Sequence, residues 1–274
     1  MSTGDFLNIL NKTTRAFGDQ IKDVTISGFG EAFIDPEILL KIEIARNLGF
    51  KVHVLTNGSL LSKENIDRLF KLKVNDIRIS LHTTDVNNYI GITSANEKQF
   101  NKVINNLEYC ISKRNGKTKI IITADIIEEN KNDVDELIEK YSERVDVLDI
   151  WSPHNWVNWG NYREDKEKIK TCGRPFSGPI QVQVDSTVNM CCFDYNGELL
   201  LGDARRKYFE DIFNSKAYHD LCWAHKSGRL EDYICNNCDQ RNKDKSDALI
   251  YCSKFSKQDR IKKTSTNYRD LKAK

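Results

Sequence analysis

Five short runs rich in β-branched and aliphatic residues, at 24–27, 51–55, 76–81, 119–127 and 145–151, alternate with stretches of helical periodicity. That alternation constrains the fold more than any other feature. Strands joined through helices of ten or more residues cannot be hairpin neighbours, so they must lie parallel, linked by right-handed crossovers. Asp5 can cap an opening helix with Phe6, Ile9, Leu10 and Phe17 on its apolar side. Pro36 suits a first helical turn, Ile38, Leu39, Ile42, Ala45 and Leu48 follow at helical spacing, and Gly49 ends the run. Ser62 caps the next helix, a longer one covers 96–113, and Asn132 or Asp133 opens the last. The fold class is therefore α/β, built on a parallel sheet. A helix comes first, so the sheet is expected to lack an opening strand.

The chain has 274 residues, room for one large domain or two smaller ones. With 39% hydrophobic and 30% charged residues it has the composition of a globular protein with a polar surface. No apolar run approaches the ~20 residues of a membrane span. The first residues show no basic and apolar signal pattern, so the expected location is cytoplasmic, with no membrane partner. The net charge of +2 is unevenly spread: eight Lys or Arg and two Asp or Glu lie in 253–274. Such a tail reads as a solvated terminus, and no Arg-rich aromatic motif supports a nucleic-acid partner. The expected divisions are a barrel at 1–155, a Cys-rich domain at 156–252 and a basic tail at 253–274.

In parallel α/β sheets ligands sit where strands end at their carboxyl side. The candidate loops are 28–35, 56–59, 82–85 and the stretch after Trp151. In the first, Gly28 and Gly30 let the backbone approach a ligand, and the Glu31 carboxylate suits a ligand amine. The second reads Thr56-Asn57-Gly58-Ser59, a turn sequence. At the end of the third strand, Ser80 and His82 share a side by the period of two.

All but one of the eight cysteines lie beyond residue 170. Without an export signal, clustered cysteines indicate metal or redox chemistry in preference to disulfides. Cys235-Asn-Asn-Cys238 is a metal knuckle, preceded by Cys172 and the pair Cys191-Cys192. Four thiolates can enclose one zinc or hold a [4Fe–4S] cluster. Cys110 falls on an apolar helix face and reads as core, and Cys192, Cys222 and Cys252 read as ordinary thiols.

Taken in this order, the loops resemble the radical S-adenosylmethionine family, and the resemblance implies that the parallel sheet is a partial parallel (β/α) barrel of that family's type, lacking its first strand. The first reads Phe29-Gly30-Glu31-Ala32 where that family has Gly-Gly-Glu-Pro, and Thr56-Asn57-Gly58 matches its second. The run 182–198, followed by Leu201-Gly202-Asp203, is similar to the SPASM or twitch auxiliary-cluster domain, with Ser186 at the usual glycine and Cys191 after the next four residues. The resemblance implies that Gly30, Glu31, Thr56, Asn57, Ser80 and His82 hold S-adenosylmethionine, the first loop at the methionyl amine and Ser80 and His82 near the ribose. Thr123 and Asp125 rank lower as lining residues. It also implies one auxiliary [4Fe–4S] cluster on Cys172, Cys191, Cys235 and Cys238.

The same family holds its initiating cluster with Cys-x-x-x-Cys-x-x-Cys. No cysteine precedes Cys110 here. The expectation is a shortened or degenerate member that cannot by itself cleave S-adenosylmethionine. Its parent activity would be radical-based oxidation or modification of a small molecule or peptide, served by an electron donor such as flavodoxin or ferredoxin. The alternative is a non-catalytic peptide- or partner-binding module with a structural zinc on the same four thiolates.

Overall fold

A computed structural model describes residues 1–156, 160–244 and 248–254. The chain divides into two units. The first comprises Lys22–Ser152 with a later strand from Leu249 onward, and the second comprises Met1–Ile21 with Pro153–Ala248.

The first unit is a six-stranded sheet in the order β1 (Asp23–Ile26), β2 (Lys51–Thr56), β3 (Asp76–Ser80), β4 (Lys119–Asp125), β5 (Val147–Trp151) and β9 (Leu249–Cys252). The first five are parallel and sequentially adjacent, as their helical connections require. The helices are α2 (Ile38–Asn47), α3 (Lys63–Leu72), α4 (Val86–Thr93), α5 (Glu97–Ser112) and α6 (Val134–Tyr141). Ser62 caps α3 by accepting from the Asn65 amide, and Asn96 with Gln99 forms a reciprocal capping box on α5.

Along most of their length the strands alternate. Val52, Val54, Ile77, Ile79, Ile120, Ile122, Leu148 and Ile150 are fully buried, as are Ile42, Ile66, Leu69, Val103 and Leu107 from the helices. The opposite face carries Thr25, which is exposed, and His53, Arg78, Ser80, Thr123 and Asp149, which are half-buried, beside the buried Ile121. A sheet buried among helices on both sides would read as continuous apolar runs, so this second face is built for polar contents.

Three expectations change. Helix α1 (Thr3–Phe17), assigned from sequence to the barrel at 1–155, belongs to the second unit. Its cap is Ser2, whose hydroxyl oxygen accepts from the Asp5 amide, so Asp5 lies in the first turn and is not the cap. Strand β9 adds an antiparallel edge beside β5, where sequence placed 249–252 in the Cys-rich domain. Its short apolar run satisfies the outer edge of β5, which a parallel crossover would otherwise leave unpaired.

The second unit has little regular structure. It holds α7 (Arg174–Ser177), the antiparallel strands β6 (Gln181–Val182), β7 (Thr187–Asn189) and β8 (Leu200–Asp203), then α8 (Phe209–Phe213) and α9 (Lys216–Ser227). Ile9 of α1 joins Val188, Met190, Leu199, Leu201, Phe209, Ile212 and Leu221 in its core. Lys12 Nζ donates to the carbonyls of Ala204, Arg205 and Lys207 at 2.6, 3.0 and 3.0 Å. Among the described residues no helix is long and apolar enough to cross a membrane. Of the basic tail, 255–274 lies outside the described residues.

Candidate functional site

Two sites emerge, one in each unit. In the sheet unit, Glu31 leaves the end of β1 and caps the short turn that follows, its Oε1 accepting from the Phe33 amide at 3.1 Å. The same oxygen accepts from the Thr56 hydroxyl at 2.8 Å, while Oε2 accepts from the Asn57 amide at 2.7 Å. One carboxylate thus ties the loop after β1 to the loop after β2. A carboxylate offers about four lone-pair positions, so Oε2 keeps one for a further donor such as an amine.

Gly58 takes φ +78°, and a Cβ there would stand 3.3 Å from both Ile79 and Val103, so only glycine fits this packed turn. Asn106 Nδ2 holds the Gly58 carbonyl at 2.8 Å. By contrast, a Cβ on Gly30 would meet nothing within 4 Å, leaving the backbone there open to a ligand. Ser80 ends β3 on the polar face, level with Thr123. His82 lies beyond the strand. Its Nδ1 accepts from the Asp125 amide at 3.0 Å, and its carbonyl accepts from Asn130 Nδ2 at 2.7 Å. Glu31, Thr56 and Asn57 are therefore joined in one hydrogen-bonded cradle, with Gly30 next to Glu31 in the chain. Ser80 and His82 stand at the same carboxyl edge of the sheet.

In the second unit, Ser186 adopts φ +71°, the left-handed turn for which glycine is the ordinary residue. This turn joins β6 to β7, and β7 leads directly to Cys191. The Asp194 carboxylate then accepts from the amides of Glu198 and Leu199 at 2.9 and 2.7 Å, closing the loop that follows the cysteine pair.

Cys172, Cys235 and Cys238 are electrostatic neighbours. Burial, reinforced by the Cys172 and Cys238 thiols, pushes the Cys235 thiol up to about 12. Cys191 packs on the same apolar cluster as Cys235. The Cys191 sulfur accepts from the Phe193 amide at 3.5 Å, and its interaction with the neighbouring Cys192 thiol, with burial, raises Cys191. The same interaction, opposed by burial and aided by the nearby Arg174, draws Cys192 down to about 6. Cys110 lies fully buried on α5, and burial raises it to about 12, as suits a core thiol.

The donor chemistry suits iron–sulfur binding, because four soft thiols sit in one small unit and three share a local field. Among the described residues no three His, Cys, Asp or Glu side chains converge on a point where one metal ion could sit. Four thiolates could serve either a single zinc or one [4Fe–4S] cluster.

Arginines that sequence reasoning passed over build this unit. Arg241 Nε donates to the Ile169 carbonyl at 2.9 Å, and its Nη1 donates to the carbonyls of Cys235 and Asn236 at 3.2 and 2.8 Å. It thereby joins the segment before Cys172 to the Cys235–Cys238 knuckle. Arg163 pairs with Asp239 at 3.1 Å, both side chains under a tenth exposed. Arginine within charged stretches such as 160–170 carries no signal that would have marked either role.

A strand-edge cradle and a following four-cysteine unit define a class, and comparison with known proteins gives the same one. Residues 6–141 match the model of the radical SAM superfamily, and residues 172–239 match that of SPASM, an iron–sulfur cluster-binding domain. The chain belongs to the radical SAM superfamily and carries a SPASM domain. It is 31% identical over 156 residues to an uncharacterized protein of Methanocaldococcus jannaschii, a match covering 57% of this chain. The chain spans about half (51%) of that relative's length.

Among solved structures, SuiB of Streptococcus suis bound to its precursor peptide SuiA is similar at TM-score 0.65 and 16% identity. That match covers 88% of this chain and 63% of SuiB. BtrN in complex with AdoMet and 2-DOIA is similar at TM-score 0.58 and 13% identity, covering 91% and 86%. Native anSMEcpe with bound AdoMet is similar at 0.58 and 12%, covering 100% and 89%. At these identities the likeness is one of fold, a mixed α/β architecture around a parallel sheet.

Proposed function

We propose that this chain cradles S-adenosylmethionine at the carboxyl edge of its sheet and carries one auxiliary [4Fe–4S] cluster on Cys172, Cys191, Cys235 and Cys238. Gly30 presents open backbone to the methionyl amine. Glu31 holds Thr56 and Asn57 in place and keeps an acceptor free, and Ser80 and His82 stand toward the ribose. When bound, an auxiliary cluster can accept an electron from a substrate radical. The activity of the whole protein is then radical-based oxidation or modification of a small molecule or a peptide, with electrons from a donor such as flavodoxin or ferredoxin. The observation that carries this reading is the shared environment of the Cys172, Cys235 and Cys238 thiols in a unit matched as cluster-binding.

Residues 1–274 contain no Cys-x-x-x-Cys-x-x-Cys, so they offer no thiolate set for an initiating cluster. By themselves they yield no 5′-deoxyadenosine, and its appearance above background after anaerobic reduction would refute that statement. Anaerobic reconstitution tests the cluster. Brown protein with about four irons and four sulfides per chain supports it. Colourless protein with one zinc and no iron would establish the structural-zinc module in its place.

A further inference from the structure

Arg174 lies two residues after Cys172, at the start of α7, and the turn at Gly173 (φ +82°) sets its direction. Its guanidinium stands 5.4 Å from the centroid of the Phe193 ring, and Phe193 directly follows the cysteine pair. The guanidinium is the positive charge neighbouring both Cys191 and Cys192. The guanidinium reaches the Cys192 sulfur as a hydrogen-bond donor, but among the described residues its buried Nη1 has no partner and the side chain makes no ion pair.

A buried donor on a cation with nothing to receive it costs free energy, so such a group in a native fold calls for an anionic occupant beside it. Two other arginines of this unit are already committed. Arg163 is paired with Asp239, and Arg241 is bonded to three carbonyls. His154 lies 4.0 Å from the Phe193 ring, and burial first, then Arg163 and Arg174, push it down to about 4, so it is neutral near pH 7.

We propose that Arg174 is the charge-compensating residue of the auxiliary cluster, standing against its sulfur-rich surface and raising its reduction potential. The inference rests on the cluster reading above. Reduction adds negative charge to a thiolate-ligated cluster. A fixed cation in a partly buried site favours the reduced form, and net charge and hydrogen bonding at sulfur are established controls of potential. Arg174 is thus a positioning and tuning residue. No ligand role is assigned to it.

The test compares the full chain with Arg174→Lys and Arg174→Gln after anaerobic reconstitution with iron and sulfide. Iron content and a redox titration followed by electron paramagnetic resonance are the readouts. The expected result is equal iron in all three proteins, a lower midpoint potential in Arg174→Gln and a near-native one in Arg174→Lys. A tenfold change in the one-electron equilibrium corresponds to ~59 mV. Iron lost from Arg174→Gln but kept by Arg174→Lys also supports a role for the charge.

Equal potentials in the loaded wild type and Arg174→Gln would overturn the inference and leave the cluster reading standing. So would loss of the cooperative thermal transition in both variants, which would assign Arg174 to the fold. A wild-type chain that takes up no iron would instead overturn the cluster reading itself.

Discussion

The two candidate sites are assembled by opposite means. The cradle sits on a regular sheet, where ladder hydrogen bonds place the strand ends and one carboxylate, Glu31, suffices to join two loops. The cysteine unit has strands of two to four residues and several single-turn helices. There, long cationic side chains reach carbonyls and a buried carboxylate that no ladder satisfies. Lys12 takes three carbonyls, Arg241 takes three more, and Arg163 takes the Asp239 carboxylate. Where secondary structure is thin, the backbone polar groups must still be paired, and charged side chains provide the partners.

Substitutions can break this contrast. The largest effect falls on the thiols: Cys235→Ala abolishes iron and sulfide loading, whereas Cys110→Ala, in the core of the sheet unit, leaves it intact. Equal loading by the two would dissolve the distinction between ligand and core cysteines. Next comes Arg163→Met, which strands Asp239 as an uncompensated buried charge and costs ~3–5 kcal/mol. Denaturant unfolding should show that loss in the second unit while the sheet unit keeps its own transition.

Glu31→Gln replaces one acceptor oxygen by a donor facing backbone amides, a cost of ~1–3 kcal/mol. The Phe33 and Asn57 amides then exchange hydrogen faster, and AdoMet binding measured by equilibrium dialysis weakens about tenfold for ~1.4 kcal/mol of lost order. Unchanged exchange would show that the cradle does not depend on this carboxylate.

The smallest effect is one of pH. His53 Nε2 faces Asp23 at 2.9 Å and Nδ1 faces Asp76 at 2.5 Å. Burial opposes its charge, yet the bonds to Asp23 and Asp76 outweigh burial and raise its pKa above the ordinary 6.5. The stabilisation is therefore full below that ordinary value and is lost as pH rises through the raised one. His53→Gln should flatten this slope in thermal melts across the neutral range, and a slope that persists would assign it to another group.

The five parallel strands were legible because alternation and helical periodicity are local properties. Val52 and Val54, or Ile77 and Ile79, declare a buried face without knowledge of their neighbours. Helix α4 escaped notice because its apolar residues do not form a long stripe. Strand β9 escaped because four residues carry no period of their own. Helix α1 was recognised as a helix but placed with the wrong partners, since Ile9 announces only that it will be buried and not against what. At the sites, Glu31, Thr56 and Asn57 were readable as a motif. Their mutual hydrogen bonds were not, because Glu31 and Thr56 are 25 residues apart. Cys191 was singled out through the turn at Ser186, and the left-handed conformation there gives that spacing its physical basis.

Helix α1 also sets a schedule for synthesis. Lys12 and its acceptor Ala204 are 192 residues apart. At ~5–20 residues per second the helix leaves the ribosome some 10–40 s before the carbonyls it binds. During that interval the intervening sheet can fold on local contacts, while Ile9, Leu10 and Phe17 wait without their partners. Helix α1 thus stays without its packing partners until the carbonyls of 204–207 have been made.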